Sequence, residues 1–356
     1  MAIIDNPIVV GGAVDQTSAL KYMLEHKTNY AGIAAGLTTL TELPTFTQPS
    51  GVQVFSSMFD GCSALTTVPT LTYPSTGNTS FEYMFRNCTS LTSVPSVDIG
   101  RAKNTTGMFY GCANMVGDFI ATKTANNTNA EEMFRGCSHI ENVVVTKSPR
   151  GSFSNLLRMF YNCTSLETVN IPVTGGGTTG ACIATSMFDG CKLLTTVTLD
   201  ASSAGLKVAG GISAMFNGCE KLETINISTP IDVSMCQEAT TTFYGCAKLT
   251  SIPSIINTGN ITLFNNFLNG CTELVDFPNS FDMHSATSST SLRDFAAGCS
   301  SLSNNSLNNI LGSLLTWGGS ANKKLKYIGL TSSQATTCTS LSNWSALSAA
   351  GWTTGY

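Results

Sequence analysis

Apolar and polar residues alternate along this chain in a phrase that returns ten times: an aromatic or apolar pair, one variable residue, Gly or Asn, Cys, two variable residues and an aliphatic. It runs Met58-Phe59-Asp60-Gly61-Cys62-Ser63-Ala64-Leu65, then Met84-Phe85-Arg86-Asn87-Cys88-Thr89-Ser90-Leu91, and continues at Cys112, Cys137, Cys163, Cys191, Cys219, Cys246, Cys271 and Cys299. A degenerate copy, Gly36-Leu37-Thr38-Thr39-Leu40, precedes them with Leu37 in the cysteine position. Nine intervals separate Cys62 from Cys299, 237 residues apart, a mean period of about 26. A repeat of that length is one coil of a solenoid, which grows by adding coils rather than by enlarging one core.

Each motif aliphatic is often followed by a period-two pattern, as in Leu166-Glu167-Thr168-Val169-Asn170-Ile171 and Leu194-Thr195-Thr196-Val197-Thr198-Leu199. This predicts a short strand with Val169 and Ile171 facing the core and Thr168 and Asn170 facing solvent. Stacked about 4.8 Å apart, eleven coils make a parallel sheet roughly 50 Å long on one face. Phe59, Phe85, Phe109, Phe134, Phe160, Phe188, Phe216 and Phe243 hold one equivalent position and predict a buried aromatic ladder. The residue before each cysteine is Gly or Asn, the two that best tolerate positive φ, so a left-handed turn belongs there.

The ends differ from the middle. Leu20, Met23 and Leu24 share one face of a helix within residues 14–27, which suits an N-terminal cap. After Leu302 the repeat decays into a C-terminal cap: a helix over 304–315, a strand over 325–330, one or two helices over 332–350 and a last strand at 351–353. The organisation is therefore residues 1–32 as attachment segment and cap helix, 33–302 as an α/β solenoid of about eleven coils, and 303–356 as an α/β capping region.

Only 11% of residues are charged and the net charge is −4, so no basic stripe awaits phosphates and nucleic acid is not an expected partner. No run of about 20 apolar residues predicts membrane insertion, and the N-terminus reads as neither signal peptide nor lipidation site. Ten of the thirteen cysteines occupy the equivalent positions Cys62, Cys88, Cys112, Cys137, Cys163, Cys191, Cys219, Cys246, Cys271 and Cys299, and read as small buried hydrophobes with free thiols. Cys182, Cys236 and Cys338 lie outside the motif and are left as exposed or paired, a Cys182–Cys236 bridge included.

No chemistry emerges from the titratable residues. The repeat cysteines lie at least 24 residues apart, without the tight spacing of a metal site. His26, His139 and His284 are scattered, and Glu141, Glu167, Glu223 and Asp276 read as solvated strand ends. No cofactor, metal or catalytic residue is expected. What remains is a surface: the outward row including Thr168, Asn170, Thr196, Thr198, Thr224 and Asn226, which is either a binding face or an inert wall, and alternatively the long insertions over 174–183, 201–211 and 229–240 read as loops.

The phrase Phe59-Asp60-Gly61-Cys62-Ser63-Ala64-Leu65-Thr66-Thr67-Val68-Pro69, repeated at Phe243 to Pro253, resembles the BspA-like leucine-rich repeat family over residues 33 to about 302. The departures are Met where that family has Ala before Phe, a less even period, and Leu268 and Ala296 in place of Phe in the late copies. The resemblance implies a non-enzymatic leucine-rich-repeat scaffold displayed on a microbial surface that binds host or neighbouring-cell molecules; it carries over no ligand residue. The N-terminal segment and the closing Ala-Ala-Gly-Trp-Thr are similar to those of phage fibre and decoration proteins. That resemblance implies a virion protein made in the cytoplasm, docked to virion structural proteins through residues 1–12, presenting its solenoid to host surface protein or glycan. Such fibres are commonly trimeric, so a homotrimer is the expected assembly. The alternative is a bacterial cell-surface adhesin.

Overall fold

The computed structural model describes residues 9–10, 13–14, 16–52, 54–71, 79–124, 128–147, 151–173, 181–201, 205–278 and 281–356. It begins with an antiparallel pair, β1 (Val9–Val10) and β2 (Ala13–Val14), followed by helix α1 (Gln16–His26). That helix buries Ala19, Leu20 and Leu24, and Leu20 and Leu24 join the apolar core cluster. In chain order the strands that follow are β3 (Thr79–Ser80), β4 (Ala102–Asn104), β5 (Gly117–Lys123), β6 (Thr128–Asn129), β7 (Ile140–Lys147), β8 (Phe153–Asn155), β9 (Thr168–Val173) and β10 (Cys182–Ile183). After them come β11 (Thr196–Ala201), β12 (Leu206–Gly211), β13 (Thr224–Ile227), β14 (Ile231–Glu238) and β15 (Ile255–Ile256).

These strands form a parallel-sheet solenoid with two walls. The front wall, expected from the repeat, is β5-β7-β9-β11-β13. The back wall is β3-β4-β6-β8-β10-β12-β14-β15. The front sheet is thus shorter than an eleven-coil ladder, and the cause is visible in the sequence. Regular front strands occur in the five coils that carry no proline after the inward apolar residue, at Phe119-Ile120, Val143-Val144, Val169-Asn170, Val197-Thr198 and Ile225-Asn226. The coils reading Leu43-Pro44, Val68-Pro69, Val94-Pro95, Ile252-Pro253 and Phe277-Pro278 have at most an isolated bridge, because proline has no N–H to give to the ladder.

Between the walls runs a ridge made by the motif itself. In every motif coil but the last, three amides donate to the next: Ser57 N–H to Glu82 O (2.7 Å), Phe59 to Met84 O (2.8 Å) and Gly61 to Arg86 O (2.7 Å). The last of these bonds recurs from Gly36 through Gly270, which joins all eleven motif copies into one stack. Aiming three alternate amides along the solenoid axis takes two left-handed residues per coil. One is the expected Gly or Asn, such as Gly61 at φ +74° and Asn87 at +59°. The second, four residues earlier, was not expected: Ser57, Tyr83, Gly107, Glu132, Arg158, Ser186, Ala214 and Thr241 all lie at φ +51° to +55°.

Inside the ridge the eight expected phenylalanines stack with centroids 5.3–5.5 Å apart and interplanar angles of 2–16°. Where Leu268 and Ala296 replace phenylalanine, Phe267 and Phe295 one position earlier take over, stacked at 5.5 Å. Each motif thiol donates to a main-chain oxygen of the preceding coil, Cys88 to Phe59 O and Cys112 to Phe85 O for example, with S···O of 3.0–3.2 Å from Cys62 to Cys299. A weak donor of this size explains cysteine over alanine at the position.

Four expectations are corrected. The insertions 201–211 and 229–240 contain strands β12 and β14, whose inward residues Leu206, Val208, Ile231 and Val233 are buried. Residues 174–180 and 202–204 lie outside the described residues. Cys182, Cys236 and Cys338 are free and fully buried, neither exposed nor bridged, the first two as inward residues of back-wall strands. Residues 325–330 form a turn rather than a strand: Asp294 and Ala296 N–H donate to Tyr327 and Ile328 O, so this segment continues the ridge. The final strand reduces to one bridge, Lys324 with Thr353. The cap helices are α2 (Asn304–Thr316), α3 (Ser332–Cys338) and α4 (Trp344–Ala349), and α3 opens with a capping box of Thr331 and Gln334.

Candidate binding face

Parallel in-register pairing is what turns single polar residues into rows. Thr196 on β11 pairs with Thr168 on β9 and with Thr224 on β13, and Thr198 pairs likewise with Asn170 and Asn226. All six expected face residues therefore come together on one surface, spaced by the strand separation of about 4.8 Å. The rows extend to Asn142 and Val144 on β7. Hydrogen bonds along them fix side-chain orientation: Asn142 donates to Asp118 (2.7 Å), Thr168 donates to Asn142 (2.6 Å) and Asn226 donates to Thr198 (3.3 Å). Asn170, Thr224 and Asn226 are exposed, the other three half-buried.

At the C-terminal end of these rows the wall opens. Residues 198–200 and 225–228 line a groove of about 440 Å³. Here Ile225 and Ile227 are only half-buried, although Val197 and Leu199 beside them on β11 are 0–1 % exposed. Asp200 at the groove margin is paired with Lys147 at 2.7 Å.

The ridge presents a second polar surface that sequence reasoning did not single out. Arg86 donates through Nε to Asp60 of the preceding coil at 2.8 Å and lies over the Tyr83 ring at 4.4 Å. Arg135 sits between the rings of Tyr110 and Tyr161, 5.2 and 5.0 Å from their centroids, and pairs with Glu132. Asp189 accepts from Asn217 at 2.8 Å, and its pKa is raised by burial. These groups are satisfied by one another from coil to coil, which makes them staples rather than open ligands. The signal was present in the variable residue between Phe and Gly/Asn, which reads Asp60, Arg86, Tyr110, Arg135, Tyr161, Asp189, Asn217 in successive coils.

The titratable residues considered for chemistry stay apart. His26 stacks on Tyr22 at 4.2 Å, the His139 ring hydrogen-bonds Ala113 O at 2.6 Å, and His284 lies 2.9 Å from Asp282. That contact holds the Asp282 carboxyl below its usual range. Among the described residues no group of three or more His, Cys, Asp or Glu side chains is placed to hold a metal, and no helix is long and apolar enough to cross a membrane. The motif residues Phe59, Cys62, Phe85, Cys88, Phe109, Cys112, Phe134, Cys137, Phe160, Cys163, Phe188, Cys191, Phe216, Cys219, Phe243 and Cys246 are all at most 1 % exposed.

Comparison with known proteins divides the chain. Residues 38–147 and 79–200 match the family described as Mycoplasma protein of unknown function, DUF285. No curated protein matches. Among solved structures, a leucine rich cell surface protein from Faecalibacterium prausnitzii is similar at 18% identity, with 74% of this chain and 76% of that chain covered and a TM-score of 0.29. Residues 157–282 and 183–316 match the BspA type leucine rich repeat region, so over 157–316 this chain carries repeats of that type.

Proposed function

We propose that this chain is a non-enzymatic binding protein of the cell-surface adhesin type, which holds a surface protein or glycan of another cell against its front wall. The observation that carries the reading is the pair of in-register rows, Thr168-Thr196-Thr224 and Asn170-Thr198-Asn226. They offer hydroxyl and amide groups at a fixed spacing, with little charge, on a rigid sheet. A pre-ordered polar array binds without first losing side-chain and backbone freedom. The BspA type of the repeats supports the same reading. A virion fibre reading rests on the N-terminal segment, whose residues 1–8 lie outside the described structure, and on the closing Ala-Ala-Gly-Trp-Thr, and nothing in the solenoid favours it.

The test is adhesion of labelled, purified chain to intact cells, with protease or periodate treatment of the cells separating protein from glycan targets. Saturable adhesion reduced at least tenfold by Thr198→Arg, with the melting temperature kept, supports the reading. Absence of adhesion from both monomer and oligomer, or a face variant that adheres like the parent, overturns it.

A further inference from the structure

We propose that Glu82, Thr106 and Glu131 hold a calcium ion that clamps three successive coils at the corner between the back wall and the ridge. The ridge bonds put these residues in one row: Tyr83 N–H donates to Thr106 O and Gly107 N–H to Glu131 O, both at 2.8 Å. Each follows an inward residue, Phe81, Thr105 or Ala130, that is 0 % exposed, so all three side chains start out on the outer surface. Glu82 and Glu131 are half-buried there. Thr106 between them is nevertheless only 7 % exposed, and its hydroxyl has no hydrogen-bond partner among the described residues. A buried hydroxyl left unpaired is destabilising, so this one points to a ligand from outside the chain. The Tyr83 ring lies against Gly107, where a Cβ would meet it at 2.4 Å, and stands as an aromatic wall beside Thr106.

Both carboxylates are oriented without being neutralised. Glu82 Oε2 accepts from Asn104 Nδ2 and Glu131 Oε2 from Asn155 Nδ2, each at 3.2 Å and each from the following coil. Asn104, whose own Oδ1 accepts the Thr106 N–H at 3.0 Å, thereby draws Glu82 toward Thr106. The second oxygens, Oε1, have no hydrogen-bond partner among the described residues. The arginines of this corner are already taken, Arg86 by Asp60 and Arg135 and Arg158 by Glu132. Among the described residues Glu82 and Glu131 therefore keep two negative charges that no side chain pairs, the charge balanced by one divalent cation. Burial and Glu82 push the Tyr83 phenol up, Arg86 opposes, and Glu132 and Glu131 add to the rise, so both carboxylates act on the same surroundings.

Spacing and donor type select the ion. Adjacent coils lie about 4.8 Å apart, so the two glutamate positions are separated by about 10 Å with the hydroxyl midway, and side chains of this length meet over it. Glu131 contributes Oε1, the oxygen that Asn155 leaves free. A donor set of oxygen alone, without nitrogen or sulfur, suits a hard cation. Two carboxylates and a hydroxyl offer up to about five oxygens, and water completes the roughly six to eight that calcium takes at about 2.3–2.6 Å in flexible geometry. Magnesium demands a near-ideal octahedron, which a row of fixed coil spacing does not supply.

Calorimetric titration of the intact chain, first stripped with EDTA, tests this with calcium chloride as the probe. The expected result is one calcium ion per chain with a Kd of about 0.1–1 mM, at least tenfold tighter than for magnesium, and a melting temperature raised by several degrees at about 10 mM calcium. Glu82→Gln and Glu131→Gln each weaken binding at least tenfold. Thr106→Val, which removes the orphan hydroxyl at nearly constant side-chain size, also weakens binding yet leaves the calcium-free melting temperature at or above that of the parent, which separates lost ligation from lost folding. Glu141→Gln, on the front wall, binds as the parent does. No heat and no melting shift up to about 10 mM calcium, or binding that survives both glutamine variants, overturns the proposal and leaves Thr106 to an ordered water only.

Discussion

Two left-handed residues per coil are the conformational expense of this ridge, and they are not equally well filled. The position before cysteine holds Gly or Asn throughout, while the second holds Ser57, Tyr83, Glu132, Arg158, Ser186, Ala214 and Thr241. A side chain with Cβ in this region is disfavoured by roughly 1–2 kcal/mol, and three cross-coil backbone bonds per coil hold it there. Ala214, at φ +54°, has no polar side chain to compensate locally. Ala214→Gly is therefore expected to stabilise the chain by about 1 kcal/mol, part of the relief being offset by the greater freedom of glycine in the unfolded chain. Gly218→Val, at φ +70° and with a β-branched side chain, is expected to destabilise it by about 2 kcal/mol or more. Denaturant titration of both variants checks the pair, and equal midpoints refute the strain argument. Neighbours also constrain these sites: a Cβ at Gly107 would meet the Tyr83 ring at 2.4 Å, and one at Gly190 would meet Asn162 Oδ1 at the same distance. At these two positions the left-handed residue of the preceding coil, Tyr83 or Asn162, leaves room for glycine alone.

At the scale of elements, proline placement decides which coils contribute a front strand. Thr198 occupies in β11 the place that Pro69, Pro95 and Pro253 hold in strandless coils, and β11 is paired on both sides. Thr198→Pro should cost about 3 kcal/mol or more and lower the melting temperature by several degrees, read by circular dichroism; a melt superimposable on the parent would show that the ladder contributes little. The same distinction explains how much was legible in the chain. Phe59, Cys62 and their equivalents announced themselves because ten copies agree in type and register, and Thr168 to Asn226 followed from the period-two pattern after each motif aliphatic. The back wall did not, because its strands are short, variously spaced and in places made of Thr-Asn or Thr-Ser pairs such as Thr128-Asn129 and Thr79-Ser80. The second left-handed position was hidden by the variety of its occupants.

For the whole molecule, burial of the thiols and of Lys123 sets opposing dependences on pH. Lys123 is fully buried on β5, its ammonium donating to the carbonyls of Ile99 (3.0 Å), Gly100 (3.2 Å) and Ala102 (2.7 Å). Desolvation is the main cause that lowers its pKa from 10.5 to about 7, with Lys103 adding to the effect and Asp98 opposing it. Between pH 7 and 10.5 the unfolded chain therefore binds a proton that the folded chain does not, and this group makes stability rise with pH across that window. The cysteines act the other way. Burial pushes Cys62 and Cys338 up to about 11 and Cys112, Cys182 and Cys236 up to about 12, from an ordinary value of 9.0. The remaining thiols move in the same direction. Above pH 9 the unfolded chain loses thiol protons that the folded chain retains, so their contribution is complete below pH 9 and is lost as pH rises through the folded values. One group contributes at most about 1.4 kcal/mol per pH unit, so thirteen thiols overwhelm one lysine. Stability should rise gently from pH 7 toward 9 and fall steeply beyond it. Denaturation midpoints measured from pH 6 to 10.5 check both limbs: Lys123→Met should flatten the first and leave the second, and a midpoint that stays level above pH 9 would mean that the thiols are not held in the dry interior of the ridge.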